Sequence, residues 1–208
     1  MPCAQQPSVP GMTCRDFPHL DGDSGSVLVN DKLRLRDIAD AHPRMAVTVA
    51  PRDGDPADFH RMDGDMDECG ESFFAAYDYD HPIRSDCEAI MNWAADNKGF
   101  WRLSGITMPA QPESLILLQS GSCAFSVTMD EETKSFDRFI GNQDVADLLR
   151  FTLDDDTNGD DKTGLRGFAA CNTPSDGKVA LRWWIVTTSI AAALPDLIYP
   201  SPTPPTST

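Results

Sequence analysis

Apolar and polar positions alternate over short stretches through most of this chain, and two stretches carry a helical period instead. Near the start, Val27 and Val29 alternate with polar neighbours, as do Leu33 and Leu35 beyond Asn30-Asp31. A period of two on both sides of a turn dipeptide predicts a hairpin. Met45 to Val49 alternates in the same way and predicts a further short strand. Residues 1 to about 25 are rich in Pro, Gly and Asp and read as loop. Pro51 to Asp67 is dominated by Asp, Gly, Pro and Arg and reads as a linker.

From Cys69 onward the pattern tightens. Ser72 to Ala76 predicts a strand. Ile83, Cys87, Ile90, Met91 and Ala94 then fall on one face of a 3.6-residue period, which predicts a helix. Pro82 suits its first turn, where a missing N–H costs nothing, and Asn97-Lys98-Gly99 ends it. Strands are expected over Phe100 to Leu103, over Leu115 to Gln119, and from Gly121 through Cys123 and Phe125. After a charged loop, Asp130 to Asp137, Asn142 is a good N-cap and Asp144 complements the dipole of a second helix. Val145, Leu148 and Leu149 form the stripe of that helix. Leu165 to Cys171 and Val179 to Thr187 predict two last strands. Pro195 to Thr208 is Pro/Ser/Thr-rich and is expected to lack structure.

The resulting order, β-α-β-β-β-α-β-β, fits an α+β fold: a small disulfide-bonded sandwich, an antiparallel sheet with two helices packed on one face. Three segments are expected: an N-terminal extension with short strands and an acidic linker over 1–67, a compact domain over 68–190, and a tail over 191–208.

Charge changes the picture of partners. With 33 acidic residues against 17 basic ones, the formal net charge is −16. Such a surface repels phosphate backbones and anionic lipid heads, so nucleic acid is not an expected partner. No run approaches the roughly 18 apolar residues that cross a bilayer.

Few motifs carry chemistry. Asp154, Asp156, Asn158 and Asp160 have the spacing of a calcium loop, with Gly159 at the bend. The position that should hold a bidentate acid is Leu165, so the loop reads as a solvated acidic turn or, at most, a weak calcium site. Asp63, Asp65 and Asp67 alternate within the linker and read as a disordered charged spacer, with metal binding as the alternative. Gly22-Asp23-Ser24-Gly25 echoes a serine-protease nucleophile loop without room for the upstream His and Asp. His19, His42, His60 and His81 are scattered and sit in no nucleophile motif; His81 is expected to flank the first helix. Trp93, Trp101, Trp183 and Trp184 suit packing, with stacking on sugars as the alternative. Adjacent Trp183 and Trp184 must face opposite sides of a strand, which predicts partial exposure for one of them. No catalytic residue, cofactor or resident metal is assigned.

The six cysteines are Cys3, Cys14, Cys69, Cys87, Cys123 and Cys171. They lack CxxC spacing and neighbouring histidines, which argues against zinc. An even count suits three bridges, among about 15 pairings that sequence leaves open, with buried free thiols as the alternative. Cys3 and Cys14 are close enough to staple the N-terminal arm.

Four cysteines sit in local phrases: Cys69-Gly70-Glu71-Ser72-Phe73, Asp86-Cys87, Gly121-Ser122-Cys123-Ala124-Phe125, and Cys171 after Gly167. Gly141-Asn142-Gln143-Asp144 lies between the third and the fourth. In order and wording they resemble the Hce2 domain of secreted fungal effectors homologous to Ecp2. Pro82, Trp101, Gly164 and Gly167 fit the same pattern. Glu71 and Ser122 depart from the Asp and Thr common there, and the acidic stretch from Asp154 to Asp161 is longer than usual. The resemblance runs from Cys69 to Thr187. It implies two bridges among Cys69, Cys87, Cys123 and Cys171, a secreted extracellular location, and an effector that provokes necrosis or defence in plant or competitor cells. No enzymatic activity is established for that module. The first residues, Met1 to Gln6, are polar, so a leader removed earlier is expected. A cell-wall polysaccharide ligand, a cell-wall-active enzyme, and a calcium-dependent structural protein are the alternatives.

Overall fold

The computed structural model describes residues 12–18, 24–30, 35–36, 57–75, 80–105, 114–154, 163–175 and 177–193. In chain order these form β1 (Met12–Pro18), β2 (Ser24–Asn30), β3 (Leu35–Arg36), β4 (Ala57–Arg61), β5 (Cys69–Ala75), α1 (Arg84–Asp96), β6 (Gly99–Leu103) and β7 (Leu115–Ser120). There follow β8 (Cys123–Thr128), a 3-10 turn (Glu131–Thr133), β9 (Arg138–Gly141), α2 (Asn142–Asp154), β10 (Leu165–Asn172), β11 (Lys178–Thr187) and α3 (Thr188–Ala193). The fold is α+β and disulfide-bonded, as expected. Its strands divide between two sheets, ordered β1-β2-β7-β8-β11-β10-β5 and β3-β4-β6-β9. All pairings are antiparallel except β3 with β4.

Alternation along the central strands separates two apolar faces. Leu117, Phe125, Val127, Leu181, Trp183 and Ile185 point into the main core. There they meet Ile90 and Trp93 of α1 and Val145 and Leu149 of α2. Phe59, Trp93 and Trp101 pack together, with ring centroids 4.7–6.2 Å apart. On the opposite face, Ala124, Trp184 and Val186 pack with Ile190 and Ala191 of α3. Trp183 and Trp184 do face opposite sides, but neither is left partly exposed, because α3 covers the second face.

Several sequence expectations are corrected here. The N-terminal stretch read as loop contains β1. The expected hairpin around Asn30-Asp31 does not form. β2 pairs with β1 and β7, while Leu35 enters the other sheet beside β4. Val29 pairs with Leu118, so a long-range partner overrode a weak local turn. The stretch read as linker contains β4, whose Phe59 is 1% exposed and lies against Trp101. Ile83, assigned to the buried stripe of α1, is its exposed N-cap. The short β9 and the six-residue α3 were not anticipated. The predicted strand at Met45 to Val49 and the tail from Pro195 lie outside the described residues.

Candidate functional site

Both disulfides between described cysteines join a family phrase to a distant strand. Cys87 of α1 bridges Cys123 of β8, and Cys69 of β5 bridges Cys171 of β10. Cys14 is also disulfide-bonded, and Cys3 lies outside the described residues.

Beside the first bridge, Asp86 closes the corner where β7 turns into β8. Its carboxylate accepts from the Ser122 N–H and the Ser122 hydroxyl, each at 2.7 Å. The same hydroxyl accepts from the Ile83 N–H at 2.8 Å, satisfying an N-terminal backbone donor that Ile83 cannot cap with its own side chain. Gly121 has φ +49°, and a Cβ there would stand about 2.5 Å from the Asp86 carboxylate. Glycine is required on both counts.

Beside the second bridge, the start of α2 ties together four segments. Asn142 Oδ1 accepts from the N–H of Met66 (2.9 Å) and of Gly99 (3.1 Å). Its amide donates to the Ala94 carbonyl and to Asp65. Asp144 accepts from the N–H of Gly141 (2.7 Å), Glu68 (2.9 Å) and Cys69 (3.0 Å). Gly141 lies so close to the Met66 carbonyl that a Cβ would overlap it. Burial pushes the Asp144 carboxyl up to about 7, helped by a hydrogen bond with Asp67 and opposed by the three backbone donors. Asp144 thus does more than complement a helix dipole: it holds the chain at the entry to β5.

This knot forms one end of a groove of about 570 Å³ between β5 and α2. Phe74, Leu148 and Phe151 supply its apolar wall, and Asp67, Glu71 and Asp147 supply acid. Phe74 and Phe151 meet at 4.1 Å between ring centroids and remain 48% and 43% exposed. On the other face of the sheet Phe73 stacks on Phe168 at 5.0 Å, 56% and 42% exposed. Ser72 accepts from the Trp183 indole N–H at 3.1 Å, fastening the strand to the core.

The structure distributes the sequence-predicted residues differently. Asp154 ends α2, while Asp156, Asn158 and Asp160 lie outside the described residues. Among the described residues no three His, Cys, Asp or Glu side chains cluster as metal ligands. Asp65 and Asp67 are no free spacer: Asp65 pairs with Lys98 and accepts from Asn142, and Asp67 bonds Asp144. His60 is buried and stacks on Phe100 at 4.8 Å; His81 flanks α1, and His19 and His42 lie outside the described residues. Ser24 and Gly25 lie in β2. All four tryptophans are buried, which removes the basis for sugar stacking.

Sequence reading missed the exposed phenylalanines as a surface, because alternation along a strand does not reveal which of its faces other elements cover. It also missed Arg138. That side chain is fully buried, donates to the Thr133 carbonyl at 2.6 Å, and has its pKa lowered to about 10 by burial, against the charge of Asp130.

One protein family's sequence model matches residues 68–171, half of the chain. The family is Hce2, described as "pathogen effector; putative necrosis-inducing factor". No curated protein matches the chain. Among the described residues no helix is long and apolar enough to cross a membrane.

Proposed function

The chain belongs to the Hce2 family of pathogen effectors, and from that premise we propose that it is a secreted fungal effector acting by binding, without catalysis. Its targets are host plant cells or competitor cells, and its outcome is necrosis.

The observation that carries this reading is the use made of the family phrases. Asp86, Ser122, Gly141, Asn142 and Asp144 spend their polar atoms on backbone and disulfide corners. Both oxygens of the Asp144 carboxylate are taken up by backbone N–H groups, which supports a structural role for it. What this scaffold presents to the outside is aromatic surface and acid, which suits recognition. Two disulfides suit an oxidising extracellular compartment.

The test is leaf infiltration of the purified oxidised protein beside a reduced and alkylated control. Necrosis from the oxidised form alone is the expected result. No response from either form, in leaf or in competitor-microbe cultures, overturns the effector reading. Retention on chitin or cell-wall preparations, with no effect on cells, would favour a polysaccharide-binding module.

A further inference from the structure

We propose that β5 is a docking edge for an extended peptide strand of a partner protein, one that alternates apolar and basic side chains. The assignment deepens the binding reading above and can fail independently of it.

Among the described residues β5 ends the seven-stranded sheet, and its outer side pairs with no strand. Exposed edges are usually blunted by Lys, Pro or a bulge. Here the register shift sets Gly70 and Glu71 of β5 against Ala170 alone, so a bulge marks the start of β5, whereas Ser72 to Ala75 is in regular register and contains neither Lys nor Pro. The strand is pre-organised, because the Cys69–Cys171 bridge, the Asp144 bonds and the Ser72–Trp183 bond hold it. An incoming strand would add to that edge through its backbone and set alternate side chains into the groove.

The groove specifies those side chains. Phe74, Leu148 and Phe151 take apolar groups. Asp67, Glu71 and Asp147 line the same cavity, and among the described residues no Lys or Arg lines it. Arg150 is paired with Asp147 at 2.7 Å, and the Lys178 ammonium lies beside Gly70. A volume of about 570 Å³ accommodates a few side chains. Charge selects among occupants. A second copy would bring another net charge of −16 and the same acidic edge. The chain's own segment 195–208 has no Lys or Arg and five prolines, so it cannot supply a ladder of donors.

The probes are fluorescein-labelled octapeptides alternating lysine with valine, leucine or phenylalanine, titrated against the intact oxidised protein. Saturable binding by at least one is expected, with amide shifts confined to Glu71–Ala75 and to the Asp147–Phe151 turn of α2. Methylating alternate backbone nitrogens, or replacing lysine by glutamate, should weaken binding by at least about tenfold. Phe74→Ala and, independently, Phe151→Ala should do the same while leaving the melting temperature near wild type. Four results would overturn the proposal: no saturable binding by any probe, equal binding of the methylated peptide, shifts elsewhere on the surface, or sedimentation showing that two copies join through β5. The leaf assay does not depend on these titrations, so loss of one leaves the other standing.

Discussion

α1 and α2 are each 13 residues long, and each carries an aspartate in its first turn, Asp86 and Asp144. Each carboxylate reaches out of its helix to hold a distant glycine-containing segment next to a disulfide. The local grammar is the same, but the environments differ. Asp86 is half-buried and grips one tight turn through Ser122. Asp144 is buried, grips Glu68, Cys69 and Gly141, and shares a hydrogen bond with Asp67. Burial and a second carboxyl raise the affinity of Asp144 for a proton. One helix start is therefore a half-buried staple, and the other a buried staple whose charge depends on pH. The comparison teaches that an acidic residue at a helix N-terminus takes its electrostatic character from what packs over it.

Removing the disulfides should separate the two regions most. Chain entropy assigns about 4.7 kcal/mol to closing a loop of roughly 100 residues and somewhat less to a shorter one. Cys69 and Cys171 are separated by 102 residues, and Cys87 and Cys123 by 36. The double variant Cys69→Ser/Cys171→Ser should lose more stability in urea than Cys87→Ser/Cys123→Ser. The opposite order would show that the buried α1–β8 corner outweighs loop closure.

The glycines come next. Gly141→Ala forces a Cβ into the Met66 carbonyl and should cost about 2–3 kcal/mol, at the upper end of ordinary single substitutions. Gly121→Ala pays for positive φ, about 1–2 kcal/mol, plus a displacement of the Asp86 carboxylate. Equal midpoints in thermal melts would mean that the second corner relaxes as readily as the first.

The pH dependence sharpens the comparison most. The folded state raises the Asp144 pKa from 3.8 to about 7, so it binds more protons than the unfolded chain between those values. This contribution is fully present below about pH 3.8, declines as pH rises, and is gone above about pH 7. Asp144→Asn should remove that slope and lose about 1–3 kcal/mol through an unmatched backbone donor. Urea midpoints at pH 4, 5.5, 7 and 8 in both proteins provide the measurement, and a slope that survives Asp144→Asn would assign it elsewhere.

Helices were the most legible elements. The 3.6-residue stripes of α1 and α2 use neighbours close in sequence, and both helices form where expected. Strands bearing cysteines or paired apolar residues were also readable, as with β10 and β11. Legibility fell where a residue's partner is distant. Phe59 looked like one aromatic in a linker until β6 brought Trp101 against it. Asp65 and Asp67 looked like spacer until the start of α2 reached them. One of Trp183 and Trp184 looked partly exposed because nothing local announced that α3 would fold over Trp184.

By itself the sequence determined the helical stripes, the net charge of −16, the phrases of a disulfide-bonded effector family, and the glycines those phrases require. These depend on local spacing and on the chemistry of single residues. Tertiary structure alone decided which cysteines pair, which strand is left at the edge, and which carboxylate is buried. Each of those outcomes joins groups tens of residues apart, and no one-dimensional period records the face that a distant segment will cover.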